Sequence, residues 1–475
     1  MIYIHWILLL LYVVVTVGTM VAVLIDDRQP VKTLAWLLVL LFLPVVGVVV
    51  YFFFGQNTRH ERIISKQSMD KLTRRSMWSF AHQSELRFPE RYRELIQLLS
   101  RDGGALPYKD NAIEILTCGD DFFRSLLAAL GRAEHHIHME TYIIENDALG
   151  NLVADALIDR AKAGVMVRFI YDDVGCWKTP KAFFERMRDA GIDAHAFMPV
   201  KFPAFTSKIN YRNHRKVCVI DGKEGFVGGM NVALRYVQGT KHLGAWRDTQ
   251  LHVRGSAVHG LQTAFLIDWY FVDRTLIHEK EYYPAPVDKT ENDCLTQIVT
   301  SDPTSRYPEM EQAYVKILSE AKRYVFMATP YFLPTEPVLF AMRMAAQSGV
   351  DIRLMIPYHA DSKIVEWASR SYVSTIEEAG VKVLLYKGGF NHSKLLVSDD
   401  ALCSCGSTNI DFRSFNNNFE VNAFIYDEET ALKMKHLFLD DSKNSIPLSD
   451  APRMLKRPFL QHLWESFVRL FAPLL

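Results

Sequence analysis

The sequence carries no net charge, because its 475 residues include 54 Lys plus Arg and 54 Asp plus Glu. A balanced chain gives no overall electrostatic drive toward nucleic acid, although local basic patches remain open. Cysteine is scarce as well, and the residues present lack the spacing of a metal or redox site. Cys403 and Cys405 share a strand face and are expected to be buried, consistent with a reducing compartment. The six cysteines stand at positions 118, 176, 218, 294, 403 and 405.

Charged side chains are missing from two long N-terminal stretches. Residues 2–25 and 33–57 contain no Asp, Glu, Lys or Arg, and each stretch exceeds the roughly 20 apolar residues that a membrane-spanning helix needs. The chain also lacks the basic start and the small-residue cleavage site of a signal peptide, so we expect the first stretch to be retained. The short polar linker 26–30 predicts a helical hairpin, and Pro44 is expected to kink its second helix.

The distribution of basic residues predicts an orientation for this hairpin. The linker region offers only Arg28 and Lys32, whereas many basic residues follow the second apolar stretch. The positive-inside rule then places both chain termini and the large polar remainder in the cytoplasm. The basic residues after the second stretch are Arg59, Arg62, Lys66, Lys71, Arg74 and Arg75.

The most informative feature is a five-residue pattern that occurs twice with identical spacing. Such a coincidence of five unrelated residue types is very hard to obtain by chance, and self-similarity at a fixed offset is the signature of a repeated structural unit. The sequence therefore predicts a duplicated fold with one site made from both halves. His214, Lys216, Asp221, Gly228 and Asn231 match His392, Lys394, Asp399, Gly406 and Asn409.

The histidine and the lysine of each pattern lie two residues apart in a strand-like run, so both side chains point to one face. Bringing the halves together places two imidazoles beside two ammonium groups, which suits a phosphodiester. One histidine can attack phosphorus while the other protonates the departing oxygen. The lysines would neutralise the non-bridging oxygens with Asn231 and Asn409 as added donors, and such donors contribute about 3 to 4 kcal/mol each to barrier lowering.

Other residues of the pattern and its surroundings are interpreted as structural. Asp221 and Asp399 come five residues after the lysine, on the opposite strand face or in the turn, and remain on the list of site residues as motif members. No metal or cofactor is expected, since a lysine beside each histidine would repel a divalent ion. In the run 135–138, His136, His138 and Glu140 could share a strand face, but spacings of about 7 Å favour packing over a metal site.

The double His-x-Lys-x4-Asp pattern resembles the signature of the phospholipase D superfamily. The apolar N-terminus, the stretch 328–334, Trp367-Ala-Ser-Arg370 and the Leu-Lys-Arg-Pro segment at 455–458 are similar to bacterial cardiolipin synthases, over essentially the whole chain. The resemblance implies an α/β fold with two tandem phospholipase D-like sandwich domains related by a pseudo-twofold axis. It also implies a multi-pass enzyme of the bacterial inner membrane whose catalytic domains face the cytoplasm.

The resemblance further implies that a downstream carboxylate orients each histidine. Glu420 matches that pattern in the second half, and Asp248 is its counterpart in the first. Asp248 stands 34 residues after His214, against 28 between His392 and Glu420, so a short insertion is expected in the first half. A second departure is a serine at position 407, where the first copy has a glycine, and this difference is expected to alter the approach of the backbone.

The implied reaction joins two phosphatidylglycerol molecules into cardiolipin and glycerol. His214 would carry the phosphatidyl group, and His392 would act as acid and then as base. The alternatives are hydrolysis of phospholipid to phosphatidic acid, a nuclease of the same superfamily, and an inactive membrane scaffold. Neutral charge and the apolar N-terminus argue against the nuclease, and two intact motifs argue against the scaffold. Phosphatidylethanolamine remains open as an acceptor.

Domain boundaries follow from composition and from similar helix-to-strand connections at corresponding places in the two halves. We expect two transmembrane helices at 1–57, a polar helical connector at 58–106, and phospholipase D-like domains at 107–288 and 289–475. The partners implied are membrane phospholipids and the bilayer, with no nucleic acid, and a homo-oligomer is left open. The stretch 197–208 and an amphipathic C-terminal helix either meet lipid or pack on the body.

Overall fold

The computed structural model describes residues 2–25, 30–55, 69, 71–73, 88–101, 104–200, 210–284, 294–305, 307–451 and 458–472. Most of the expected connector 58–106 lies outside the described residues. The same holds for the stretch 197–208 beyond Val200 and for most of the segment 283–290 that joins the two halves. Contacts divide the chain into two compact units, one containing the N-terminal helices and the other containing both halves of the repeat.

The N-terminal unit contains helices α1 (Ile2–Ile25), α2 (Pro30–Phe42) and α3 (Pro44–Val50), followed by a π-helical turn at Tyr51–Gly55. Only α1, over Tyr3–Ile25, is long and apolar enough on its own to cross a membrane among the described residues. The second apolar stretch is not one continuous helix, because it breaks at Leu43 before a proline that has no N–H to donate. The predicted helical hairpin is therefore only partly supported.

The large unit begins with a 3₁₀ turn at Glu90–Tyr92 and helix α4 (Arg93–Arg101). The elements of the first half are β1 (Pro107–Leu116), α5 (Gly119–Arg132), β2 (His136–Thr141), α6 (Ala148–Lys162), β3 (Met166–Asp172), α7 (Lys181–Asp189), β4 (Asp193–Phe197), β5 (Arg212–Asn213), β6 (Val217–Ile220), β7 (Glu224–Gly228), α8 (Arg235–Gln238), β8 (Trp246–Arg247), β9 (Gln250–Gly255) and α9 (Val258–Asp273).

The second half repeats this order. After a 3₁₀ turn at Lys280–Tyr282 come β10 (Cys294–Ser301), α10 (Glu309–Glu320), β11 (Tyr324–Ala328), β12 (Phe332–Leu333), α11 (Glu336–Gln347), β13 (Asp351–Pro357), α12 (Lys363–Glu378), β14 (Lys382–Tyr386), β15 (Phe390–Asn391), β16 (Leu395–Ser398), β17 (Leu402–Gly406), β18 (Ile410–Asp411), α13 (Phe412–Asn416), β19 (Asn418–Tyr426), α14 (Glu428–Lys443), β20 (Ser445–Pro447), a 3₁₀ turn at Leu448–Asp450 and α15 (Phe459–Arg469).

Both halves contribute to one continuous sheet. Its strand order is β20-β14-β13-β11-β16-β17-β19-β10-β1-β9-β7-β6-β2-β3-β4, with β5 attached to β19. The antiparallel β1·β10 pair lies at the centre, and the strands on either side of it correspond in order except for β20, which has no counterpart in the first half. Each half contains three successive parallel strands, β2-β3-β4 in the first and β11-β13-β14 in the second, and the strands between each trio and the centre are antiparallel. Strand β20 adds an antiparallel edge to the second half. The sheet thus has the pseudo-twofold arrangement that the duplicated motif predicted.

Helices cover both faces of this sheet, which explains why its strands are buried on both sides. One apolar core joins α5, α6 and α7 to the first half, and a second joins α10, α11 and α12 to the second half. The opposite face is covered by α9 and α14, which share a third core with strands of both halves. This α/β layering confirms the predicted fold class and makes the two halves one packed body.

Candidate active site

The two histidines lie at the same edge of the sheet, and each is held there by the opposite half. The short strand β5 before His214 pairs in parallel with β19, and β15 before His392 pairs in parallel with β8. The His214 N–H donates to the carbonyl of Phe419 over 3.0 Å, and the His392 N–H donates to that of Arg247 over 2.7 Å. The backbone therefore positions both imidazoles at the boundary between the repeats.

The orienting carboxylates are exchanged between the halves. His214 Nδ1 lies 3.1 Å from both carboxylate oxygens of Glu420, and His392 Nδ1 lies 2.7 Å from Oδ2 of Asp248. Both carboxylates are fully buried. The spacing comparison measured each carboxylate from the histidine of its own half, whereas the structure pairs each with the histidine of the other. The site residues of the two motifs are thus brought together as one crossed constellation.

The orienting carboxylates explain why the second half has Ser407 where the first half has Gly229. Ser407 donates its hydroxyl to Glu420 and accepts from the Val421 N–H at 3.0 Å. At the matching position Gly229, an added Cβ would lie 2.3 Å from a carboxylate oxygen of Asp248. The first half therefore needs a glycine where the aspartate approaches closely, and the second half uses a hydroxyl to hold the glutamate.

The two motif lysines are buried beside their histidines. Lys216 and Lys394 each donate through Nζ to the backbone carbonyl of the histidine two residues earlier. Lys394 Nζ also lies 3.2 Å from Nε2 of His392, whereas Lys216 Nζ lies 5.3 Å from the centre of the Tyr142 ring. The two lysines and the two imidazoles therefore lie together in the site, an arrangement that suits an anionic oxygen ligand.

Burial controls the ionisation of the histidines. It lowers the pKa of His214 to about 4 and that of His392 to about 3, and the neighbouring carboxylates only partly oppose the shift. Burial would raise the pKa of Glu420, but His214 and Lys216 together bring it below the usual range. At neutral pH each ring is therefore uncharged, with the Nδ1 proton on the carboxylate side and a lone pair on Nε2.

Burial also lowers the pKa of Lys216 to about 7 and that of Lys394 to about 8. A lysine is charged below its pKa, so we expect the KM for a phosphodiester lipid to rise between about pH 6 and about pH 9. A bound anion raises both pKa values, so kcat should depend less on pH than KM. Steady-state kinetics across this range would measure both. Lys216→Arg, which keeps its charge, should flatten the KM profile; a flat profile in the unsubstituted protein would contradict the prediction.

The two motif asparagines differ in their contacts. The Asn231 side chain accepts from the Ile143 N–H at 3.2 Å and donates to Tyr236 Oη at 2.9 Å, so both of its ends are engaged. The side-chain oxygen of Asn409 is buried and has no hydrogen-bond partner among the described residues. This oxygen is an acceptor and could pair only with a donor on a ligand, so the role of either asparagine as a donor to phosphate stays a prediction.

The motif aspartates hold the edge of the sheet together and do not point at the histidines. Asp221 accepts from the N–H groups of residues 134, 135 and 136 at 2.8 to 2.9 Å. Asp399 accepts from those of residues 322, 323 and 324 at 2.7 to 2.8 Å. Both aspartates have a φ of 53° in the tight turn after their strand. Each carboxylate thus ties a hairpin to the start of the neighbouring strand, in agreement with the structural interpretation.

We expect Asp221→Asn to lower the free energy of unfolding by about 1 to 3 kcal/mol, because a single amide oxygen then replaces a carboxylate that serves three N–H groups. Asparagine tolerates the positive φ, so backbone strain is not added. Thermal unfolding of the detergent-solubilised protein would measure the loss, and turnover per folded molecule should stay unchanged. Asp189→Asn, on the exposed face of α7, is the matched control; equal melting temperatures for the two variants would contradict the structural role.

The histidine run in β2 is a packed network. The side-chain oxygen of Gln262 accepts from His136 Nε2 at 3.0 Å, its side-chain nitrogen donates to His138 Nδ1 at 2.7 Å, and the ring of Phe265 stacks on His138. Glu140 instead accepts from the Asn213 side chain at 3.2 Å. The described residues contain no group of His, Cys, Asp or Glu side chains that could hold a metal ion. The expected packing role fits these contacts.

Comparisons with known proteins agree with this geometry. A family model described as the phospholipase D-like domain of cardiolipin synthase matches residues 126–249 and 314–442, and a phospholipase D-nuclease N-terminal model matches residues 6–56. Cardiolipin synthase 2 of Bacillus anthracis is 40% identical over 95% of this chain and 88% of its own length. The major cardiolipin synthase of Bacillus subtilis is 38% identical over 99% of both chains. The chain belongs to the cardiolipin synthase family.

The fold of this cardiolipin synthase family member is shared more widely. The crystal structure of a phosphatidylserine synthase from Haemophilus influenzae matches with a TM-score of 0.63, covering 81% of this chain and all of that one at 14% identity. At this identity the match concerns the fold alone. Two phospholipase D-like halves and an apolar N-terminal helix long enough to cross a membrane are thus the architecture of this family member.

Sequence reasoning missed a buried polar group behind His214. Arg215 donates to Asp268 at 2.6 Å and to the carbonyl of Glu420 at 3.0 Å, and so braces the carboxylate that contacts the histidine. Tyr142 packs edge-on to His214, with ring centres 5.0 Å apart. The arginine could have been found as the central residue of the first motif. The aspartate and the tyrosine lie far from the motif in sequence and carry no such signal.

Proposed function

We propose that the chain transfers a phosphatidyl group from one phosphatidylglycerol to another, giving cardiolipin and glycerol through a phosphohistidine intermediate. The observation that carries this proposal is the crossed pair of neutral, carboxylate-held imidazoles between two buried lysines. The nucleophile needs a free imidazole lone pair, and the phosphodiester needs fixed cations around its oxygens. The names of the family's characterised members support the choice of lipid product.

In the first step, Nε2 of His214 attacks phosphorus and the bond from phosphorus to the glycerol oxygen breaks. His392 gives the proton from its Nε2 to that oxygen, so glycerol leaves as a neutral alcohol. The bound phosphodiester raises the pKa of the second imidazole from its low value in the empty site, because an anion beside it stabilises the charged ring. The carboxylate of Asp248 supports the same charge through Nδ1.

In the second step, His392 takes the proton from the terminal hydroxyl of the second phosphatidylglycerol. The hydroxyl oxygen attacks phosphorus, the bond between phosphorus and Nε2 of His214 breaks, and both histidines return to their starting states. One phosphodiester linkage replaces another, so the reaction needs no nucleotide and lies near equilibrium. Lys216 and Lys394 offset the charge on the non-bridging oxygens in both steps.

A difference between the halves supports His214 as the nucleophile. Lys394 Nζ lies 2.8 Å from Nδ1 and 3.2 Å from Nε2 of His392, whereas among the described residues the ring of His214 hydrogen-bonds only to Glu420 and Lys216 donates to the His214 backbone carbonyl. An ammonium group beside a nitrogen competes for the lone pair that a nucleophile must use. The imidazole without that neighbour is better suited to attack, and the other is better suited to exchange protons.

The proposal predicts equimolar glycerol and cardiolipin when the purified protein is incubated with phosphatidylglycerol vesicles. Each turnover joins two lipids and releases one glycerol. Lipid extracts analysed by mass spectrometry, together with an enzymatic glycerol assay, would measure the ratio. Phosphatidic acid as the sole lipid product would show that water is the acceptor and that the chain is a phospholipase D. The His214→Ala variant controls for contaminating activity.

We also propose that the N-terminal segment anchors the catalytic body at the cytoplasmic face of the bacterial inner membrane. Helix α1 is long and apolar enough to span the bilayer, which supports this anchor. Helices α2 and α3 together supply residues 30–50 except Leu43, which at about 1.5 Å per residue gives roughly 30 Å and allows a kinked second span. A cysteine introduced at Gln29 should then react with a membrane-impermeant maleimide from the periplasm; protection there in intact spheroplasts would reject the two-span topology.

A further inference from the structure

The C-terminal helix α15 presents its largest apolar side chains to solvent. The exposed fractions are 77% for Phe459, 76% for Leu460, 54% for Leu463, 48% for Trp464, 48% for Phe467, 72% for Leu470 and 43% for Phe471. At about 100° per residue these seven side chains fall within an arc of about 140°. They form one continuous apolar face, which we call the α15 face.

The side chains that α15 buries against the body are smaller or polar. Val468 and Ala472 pack with Ala368 and Leu333, and Glu465 is fully buried. The rings of Trp464 and Trp367 meet at 6.0 Å at the margin of this contact. A helix docked on a water-soluble body normally turns its bulky apolar residues inward. This helix turns them outward, so docking on the body alone does not account for its sequence.

Helix α12 connects the α15 face to the candidate active site. One side of α12 contacts α15 through Val365, Trp367 and Tyr372. The other side contributes Glu366 and Arg370 to a cavity that also includes Pro330 and Tyr358. The residue after Pro330 is Tyr331, whose ring centre lies 6.4 Å from that of His392. The exposed apolar face is therefore one helix away from the histidine site.

Other exposed apolar residues lie at the same edge of the sheet. Leu152 and Phe340 are the fifth residues of the equivalent helices α6 and α11, and their exposed fractions are 51% and 61%. Trp177 and Ile364 follow the equivalent strands β3 and β13 and are 53% and 48% exposed. All four come shortly after the carboxyl ends of parallel strands, the edge at which both histidines lie.

Basic side chains accompany these apolar positions. Exposed lysines stand next to two of them in sequence, Lys178 after Trp177 and Lys363 before Ile364. The exposed Arg469 ends α15, with its guanidinium 5.7 Å from the centre of the Tyr372 ring. Apolar side chains bordered by lysine and arginine are the composition of segments that insert into the headgroup region of anionic bilayers. Single exposed apolar side chains are common and need no explanation, but seven on α15 and the turn that follows it form one apolar patch.

We propose that the α15 face, with the apolar residues around the site edge, docks the catalytic body onto an anionic phospholipid bilayer. This contact is separate from the N-terminal anchor and does not depend on the chemistry of the histidines. It would hold the site edge against the lipid surface, where the headgroups of diacyl lipids can reach the site without leaving the bilayer.

The test uses the full-length protein carrying His214→Ala, so that turnover plays no part, reconstituted in phosphatidylglycerol and phosphatidylcholine vesicles. The background substitution Cys118→Ser removes the only native cysteine that is not buried. A fluorescent label is then attached to Leu463→Cys on the α15 face. The control carries the label at His462→Cys, on the polar side of the same helix. Lipids brominated in their acyl chains should quench the label at position 463 and spare that at 462, and aqueous iodide should do the reverse. Equal quenching of both labels by iodide would overturn the proposal.

A second variant tests the consequence for turnover in the active protein. Leu463→Glu with Phe467→Glu should reduce cardiolipin formation from bilayer phosphatidylglycerol at least about fivefold, because the charged face no longer inserts. Activity on short-chain phosphatidylglycerol dispersed in detergent should be unchanged, which separates a docking defect from failure of the proposed chemistry. Equal activity in bilayers would reject the proposal. Protection of position 463 from both quenchers, with energy transfer between labels on different copies, would instead identify an interface between two chains and would also reject it.

Discussion

Substitution of His214 by alanine is expected to reduce cardiolipin formation by at least about 10⁴-fold, because in the proposed mechanism it removes the side chain that receives the phosphatidyl group. His392→Ala should have a similar effect on phosphatidylglycerol, since glycerol is a poor leaving group without an acid. Both imidazoles are nearly buried and contact a buried carboxylate, so each loss also leaves that carboxylate without its partner. Thermal unfolding must therefore accompany the kinetics, to show that each variant is folded.

The two histidines are distinguished by a donor that does not need an acid. With a phosphatidyl ester of p-nitrophenol, the departing phenolate is stable without protonation, so the first step depends on the nucleophile alone. His392→Ala should then release p-nitrophenol in a single burst and accumulate the phosphatidyl-enzyme, while His214→Ala should give no burst. Rapid mixing with absorbance detection measures the burst. A burst from His214→Ala and none from His392→Ala would reverse the roles.

The sequence was sufficient to predict the symmetry of the fold, and the reason is physical. The period-two alternation places His214 and Lys216 on one face, and the same order recurs around His392 and Lys394, so the two copies had to occupy equivalent strands. The structure places them on the equivalent segments leading into β6 and β16, on either side of the central β1·β10 pair. The turns after these strands were also predictable, since an aspartate begins each of them with a positive φ.

The pairing of carboxylates with histidines could not be predicted from spacing within one half. Glu420 meets a histidine 206 residues away because β5 pairs with β19, and Asp248 meets one 144 residues away because β8 pairs with β15. These short parallel pairs cross between the repeats, and no local pattern of two residues specifies a partner strand. The interruption of the second apolar stretch at Leu43 was predictable, because the proline that follows it has no N–H to donate to the helix.

The crossed pairing makes a prediction that pairing within each half does not share. Glu420→Gln should behave as a weakened form of His214→Ala, and Asp248→Asn as a weakened form of His392→Ala, with losses of about 10² to 10⁴-fold on phosphatidylglycerol. An amide in place of the carboxylate can hold the wrong tautomer and does not stabilise a charged ring. The loss of activity should therefore exceed that caused by the same substitution of a surface carboxylate. Glu114→Gln, on the exposed side of β1, is the control.

The p-nitrophenyl donor again separates the two variants. Glu420→Gln should slow the burst, because the carboxylate supports the ring that becomes positively charged as Nε2 attacks phosphorus. Asp248→Asn should leave the burst nearly intact and slow only the second step, in which the acceptor hydroxyl must lose its proton to His392. If each carboxylate served the histidine of its own half, the two results would be exchanged. Because the two outcomes are opposite, this pair of variants decides whether each carboxylate supports the histidine of the other half during catalysis.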